Sequence, residues 1–129
     1  MSETWRRRIL IVAGLWNLFG GASALADPGG HFAQLYTTAL DLADPLQRFY
    51  FHGVWRNVVA WGLGYLLAAF RPAARLPILA AGGAGKLAYG VACLALVASG
   101  VGNPMLLVAG IVDFVFAALF AAILWPRRA

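Results

Sequence analysis

Met105 to Trp125 reads MLLVAGIVDFVFAALFAAILW, an apolar run in which Asp113 is the only charge. About 20 apolar residues, rising roughly 1.5 Å each in a helix, cross a hydrocarbon core of about 30 Å. This run has that length. A transmembrane strand would be half as long and would alternate polar with apolar residues, which this stretch does not. Asn103-Pro104 reads as a helix start and Pro126 as a stop. The run therefore predicts a membrane-spanning helix, with lipid as the solvent.

Three further runs share this character: Ile9 to Ala26, about Phe49 to Phe70, and Leu76 to Ala98. Before the second, Asp44-Pro45-Leu46-Gln47 reads as an N-cap, a proline at the first helical position and a capping-box glutamine. Pro72 and Pro77 bracket a short connection to the third. Helices are thus expected at about 9–26, 45–70, 76–98 and 104–125. Together they predict an all-α bundle of four transmembrane helices, a single integral membrane domain over 1–129. Composition agrees: the chain is 62% hydrophobic and 12% charged, against roughly 45–50% and 25% in soluble domains.

The charges set an orientation. Arg6, Arg7, Arg8, Arg71, Arg75, Arg127 and Arg128 fall on one side, and the other holds only Arg48 beside Asp27, Asp41 and Asp44. Positive residues stay cytoplasmic, so both termini are expected inside and the long first loop outside. The net charge of +5 comes from arginines beside apolar runs, not from an interleaved basic face, and so does not point to nucleic acid. Arg6 to Arg8, an apolar stretch and Ala24-Leu25-Ala26 also resemble a cleavable signal peptide. Asn17 interrupts that apolar stretch, and the segment is read as a retained helix. In the external loop, Phe32, Leu35, Tyr36, Ala39, Ala43 and Leu46 recur at helical spacing. They predict a short amphipathic helix lying flat on the outer surface, with a lid over the bundle mouth as the other arrangement.

One polar residue falls near the middle of each run: Asn17, Arg56, Lys86 and Asp113. A charge at the bilayer centre costs roughly 2.5–3.5 kcal/mol on insertion scales, so these groups are expected to face inward and meet. Helical spacing puts Gly14 and Gly21 beside Asn17, and Gly82, Tyr89, Gly90 and Cys93 beside Lys86. Such small residues let helices approach closely. Asp113 can neutralise one cation, expected to be Lys86 across the short third loop. Arg56 is then left to His52, Asn57, Asn17 or a carbonyl. The bland alternative is that these charges only fix helix register.

Other chemistry finds little support. Cys93 is the only cysteine, so no intramolecular disulfide exists, and its apolar run makes it a core residue. His52 and His31 are the only histidines and do not make a metal-ligand set. Gly82-Gly83-Ala84-Gly85-Lys86 lacks the spacing and preceding strand of a phosphate loop. Neither a serine–histidine–acid arrangement nor paired carboxylates can be found for catalysis. Trp5 and Trp125 read as interfacial anchors, and Trp55 and Trp61 as packing residues flanking the polar layer.

Gly62-Leu63-Gly64-Tyr65, Arg71-Pro72, Pro77-Ile78 and Gly85-Lys86 resemble small bacterial four-helix inner-membrane proteins, broadly DoxX-like. The resemblance covers about Trp55 to Trp125. It implies a four-helix fold in the bacterial inner (plasma) membrane, singles out Tyr65 and Lys86, and hints at membrane redox or quinone-linked systems. The expected function is a binding or accessory protein rather than an enzyme. Arg56, Lys86 and Asp113, helped by Asn17, His52, Tyr65 and Tyr89, would hold a small anionic or quinone-like molecule. The expected partners are the lipid bilayer, that ligand, and copies of the chain or a larger membrane complex. A small oligomeric transporter and a purely structural subunit are the alternatives, and no cofactor is named by the residues.

Overall fold

The structure, a computed structural model, describes residues 1–125; Pro126, Arg127 and Arg128 lie outside the described residues. Five α-helices run through that stretch: α1 Glu3–Ala26, α2 Pro28–Leu35, α3 Pro45–Phe70, α4 Arg75–Ala98 and α5 Pro104–Leu124. A single 3₁₀ turn, Pro72–Ala74, joins α3 to α4. By length and apolarity α1, Pro72–Ala98 and α5 can cross a membrane. α3 is 26 residues long, but Arg48, His52, Arg56 and Asn57 lower its apolarity.

The helix ends follow the sequence signals with three differences. α1 starts at Glu3, earlier than the apolar run, because Ser2 Oγ accepts from the Trp5 amide at 3.4 Å, so the three arginines are helical. Asp44 caps α3 as expected, its Oδ1 accepting from the Leu46 amide at 2.8 Å. Gln47 instead reaches back to the Asp41 amide at 3.1 Å, tying down the loop. Asn103 precedes α5 without capping it through its side chain. Its Nδ2 donates to the carbonyls of Ala33 and Tyr36 at 3.0 and 3.1 Å.

α1 packs tightly along α3, and α4 along α5. Glycines make both approaches possible. A Cβ on Gly62 would lie 3.0 Å from the Gly14 carbonyl, and one on Gly90 would lie 3.1 Å from the Gly110 carbonyl. Large apolar side chains such as Phe19, Phe49, Leu76 and Val115 point outward. Buried small residues and exposed large ones are what lipid permits, since burying hydrocarbon gains nothing there.

Between the two pairs contact is sparse. At the N-terminal end they are pinned by Arg75, which is buried. Its Nε donates to the Ala68 carbonyl at 2.9 Å, capping α3, while its Nη1 donates to Glu3 Oε2 at 2.8 Å. One guanidinium thus ties the starts of α1 and α4 to the end of α3. At the opposite end, hereafter the loop end, α2 rests on α1 and α5. The amphipathic stripe was expected to continue as helix through Ala39 and Ala43. Helix stops at Leu35 instead, because Tyr36 pairs with Gly102, and the Thr37 amide donates to the Val101 carbonyl at 2.9 Å. Gly100 makes the facing turn possible, with φ +78, a conformation open to glycine at little cost. The loop is therefore stitched across the bundle end instead of lying flat on its own.

Candidate functional site

Lys86 lies midway along α4, on the buried stripe that also carries Leu79, Gly82, Gly90 and Cys93. The spacing of that stripe turns its ammonium towards α1 and α5. Nζ donates to Asp113 Oδ1 at 2.6 Å and to Asn17 Oδ1 at 3.1 Å. Asn17 is held in turn, its Nδ2 donating to the Val58 carbonyl of α3 at 3.3 Å. Four helices are thereby linked through one lysine. The Lys86 and Asp113 side chains are 5% and 11% exposed, so their mutual attraction offsets part of what each loses in leaving water. Phe116 and Tyr65 cover the ammonium, with ring centroids 5.2 and 5.7 Å away.

Arg56 does not join this layer. It is exposed, and the reason is the face it occupies. The Val58 carbonyl, two residues on, accepts from Asn17, so Arg56 is close to the height of the layer. At about 100° per residue it is turned roughly 200° from Val58, onto the outward stripe that carries Ala60, Leu63 and Leu67. Its absence leaves the layer with one cation, one anion and one amide. Of the partners expected for Arg56, Asn17 is committed to Lys86 and Val58 instead.

Above the Lys86 layer, towards the loop end, the two helix pairs enclose a cleft of about 1230 Å³. Pockets for drug-sized ligands measure roughly 300–1,000 Å³, so this cleft has room for one. Its walls are mostly apolar and aromatic, Trp16, Trp55, Trp61 and Val58 among them, and Lys86, Asp113 and Asn17 lie at its base. Tyr65 and Tyr89 both line it. Tyr65 packs on Phe120 at 4.9 Å, and a Cβ on Gly82 would lie 2.6 Å from its hydroxyl. Glycine at 82 is what lets that hydroxyl lie against α4. Tyr89 packs with Tyr36 and Trp55 around Leu35 and Cys93. His52 is not in the cleft wall; it stacks edge-on to Phe51 at 5.8 Å.

The loop takes the second of its two expected arrangements, over the bundle mouth, and brings in a residue the sequence reading had not proposed. His31 of α2 meets Trp55 edge-on at 4.5 Å and lines the cleft with Phe32, Gln34 and Tyr36. Burial pushes the His31 imidazole below its ordinary pKa, with Asp27 pulling weakly the other way. The helical stripe in the loop signalled the helix, but His31 is not on that stripe, so nothing local marked it. Among the described residues, no group of three His, Cys, Asp or Glu side chains comes together to hold a metal ion.

Arranged this way, the site offers a hydrogen-bonding base of fixed geometry beneath an aromatic sleeve. It contains no nucleophile paired with a base, and its ion pair is already neutral. Compared with protein-family models, curated proteins and solved structures, the chain gives no match in any of the three.

Proposed function

We propose that the chain is a multi-pass protein of the bacterial inner membrane that binds a small quinone-like molecule in the cleft above Lys86, Asp113 and Asn17. The observation that carries this reading is an apolar, aromatic cleft ending on a buried lysine whose charge is already balanced. Because Asp113 neutralises Lys86, a neutral molecule bearing carbonyl groups suits the base better than a free anion. Lys86 and Asn17 supply donors, Asp113 fixes the lysine, and Tyr65 and Tyr89 add hydroxyls along the wall. Arg56 and His52, candidates by sequence, take no part in this reading.

The same proposal has α3 as a fourth span, supported by its length and by Phe49, Leu63 and Leu67 on its exposed face. Both termini are then cytoplasmic, following the arginines. Of the residues that resemble DoxX-like proteins, Tyr65, Gly85 and Lys86 line the cleft, while Gly62, Leu63, Gly64, Arg71, Pro72, Pro77 and Ile78 do not. That resemblance is the reason for linking the protein to membrane redox, and fold analogy alone carries no activity.

Native mass spectrometry of protein released from lipid nanodiscs tests the reading. Wild type and Arg56→Leu are expected to carry the same discrete bound mass. Lys86→Met is expected to lose it, as is the charge-free pair Lys86→Met/Asp113→Leu, which avoids a lone buried carboxylate. An undiminished mass in both Lys86 variants, or none in wild type, overturns the proposal.

A further inference from the structure

The cleft has an unequal boundary. At the loop end, α2 and the segment to Leu40 cover it, and α2 rests on α1 and α5. That covering is fastened by Tyr36, Thr37 and Asn103 to the α4–α5 turn. At the base, Lys86 bridges both helix pairs. On the α1–α5 side exposed Trp16 and Met105 also line the cleft, but α2 rests on both of those helices; the side between α3 and α4 has no such cover. The two helices are held by the short Pro72–Ala74 turn and touch at Gly64 with Ile78 and at Tyr65 with Gly82. One turn further towards the loop end, Trp61 and Gly85 line the cleft while both are exposed on its outer edge. A side chain at Gly85 would meet nothing within 4 Å.

From this geometry we infer that the entrance to the cleft is the α3–α4 gap between Trp61 and Gly85, which opens sideways to lipid. Its ligand is then a membrane-dissolved amphiphile whose polar head reaches Lys86 and whose hydrocarbon tail lies in that gap. The inference rests on the ligand reading above and adds the tail and the route. A lateral gap gives water-soluble molecules little advantage, because the water-facing end is the covered one. It suits a molecule already concentrated in the bilayer, whose tail exchanges lipid contacts for apolar wall contacts without crossing water. Trp61 and, two turns further towards the loop end, Val54 are exposed on α3 and line the cleft, so the α3 edge of the gap is apolar.

Two quinones with the same dimethoxy-methyl-benzoquinone head, one carrying a decyl tail and one tail-free, serve as probes. They are added to nanodiscs, and retention by the full chain is read by native mass spectrometry. In Gly85→Trp the indole fills the gap; in Val91→Trp equal bulk sits on an exposed face of α4 away from the cleft. The ratio of tailed to tail-free quinone retained is expected to fall about tenfold in Gly85→Trp and to stay at the wild-type value in Val91→Trp. An unchanged ratio in Gly85→Trp, or an equal fall in Val91→Trp, overturns the lateral route while the ligand reading stands. Retention of neither quinone by wild type overturns both.

Discussion

Lys86 commits two of its three ammonium protons to Asn17 and Asp113, and the energetics of the site follow from that pairing. Removing one partner of a buried pair leaves the other charged and unsolvated, at a cost of roughly 3–5 kcal/mol, whereas replacing both by apolar groups can be neutral. Lys86→Met is therefore expected to destabilise the protein by about that amount, and Lys86→Met/Asp113→Leu to recover most of it, in equilibrium unfolding from mixed micelles. If the double variant is as unstable as the single one, the pair is not the unit assigned here. Arg56→Leu, on the outward face of α3, leaves no buried partner unpaired and is expected not to destabilise the protein. The residue types of this layer were legible in the sequence, and so was the Lys86–Asp113 match across a short loop. The Glu3–Arg75 clamp was not. Its partners stand far apart along the chain, and nothing in either neighbourhood announces the other.

Among the elements, α2 depends on its surroundings most. An eight-residue helix is too short to persist alone, and Asn103 satisfies two of its carbonyl ends. His31 adds a pH dependence. Burial holds its folded-state pKa below the ordinary 6.5, so as pH falls the undocked helix takes up the proton first. Docking is then at full strength above about pH 6.5 and weakens as the pH drops through the folded-state value. Hydrogen exchange of the α2 amides, corrected for intrinsic rates, should speed up from pH 7.5 to pH 5 in wild type and not in His31→Leu. Equal acceleration in both would remove His31 as the cause. Sequence gave good helix starts where the signal is local, as at Asp44. It overextended the loop helix because Ala39 and Ala43 keep the stripe, while the Tyr36–Gly102 pairing that ends it is a contact between distant segments.

For the molecule as a whole, orientation is the prediction that most tests the proposal. In a Cys93→Ala background, Thr38→Cys in the long loop should react with a membrane-impermeant maleimide on intact cells. Ser2→Cys should react only after permeabilisation. The opposite pattern would reverse the assigned sides, and labelling of both on intact cells would remove the span between them.

The sequence by itself determined that the chain is helical and apolar enough for lipid, where most helices begin and end, and that Asn17, Lys86 and Asp113 lie inside, while it misplaced Arg56 and overlooked buried Arg75. The features it determined are properties of runs and caps, set by neighbours within a few residues and by the cost of exposing charge or backbone to hydrocarbon. Only the tertiary structure decided which of those residues meet. The pairing of α1 with α3 set Val58 against Asn17 and so turned Arg56, two residues earlier, outward; which face of α3 is buried is decided by its neighbours. The tight glycine pairing of α1 with α3 and of α4 with α5 left the space between the pairs open. A cleft is the shape of what packing does not fill, and it arises from the relative placement of elements that are each, on their own, only apolar helices.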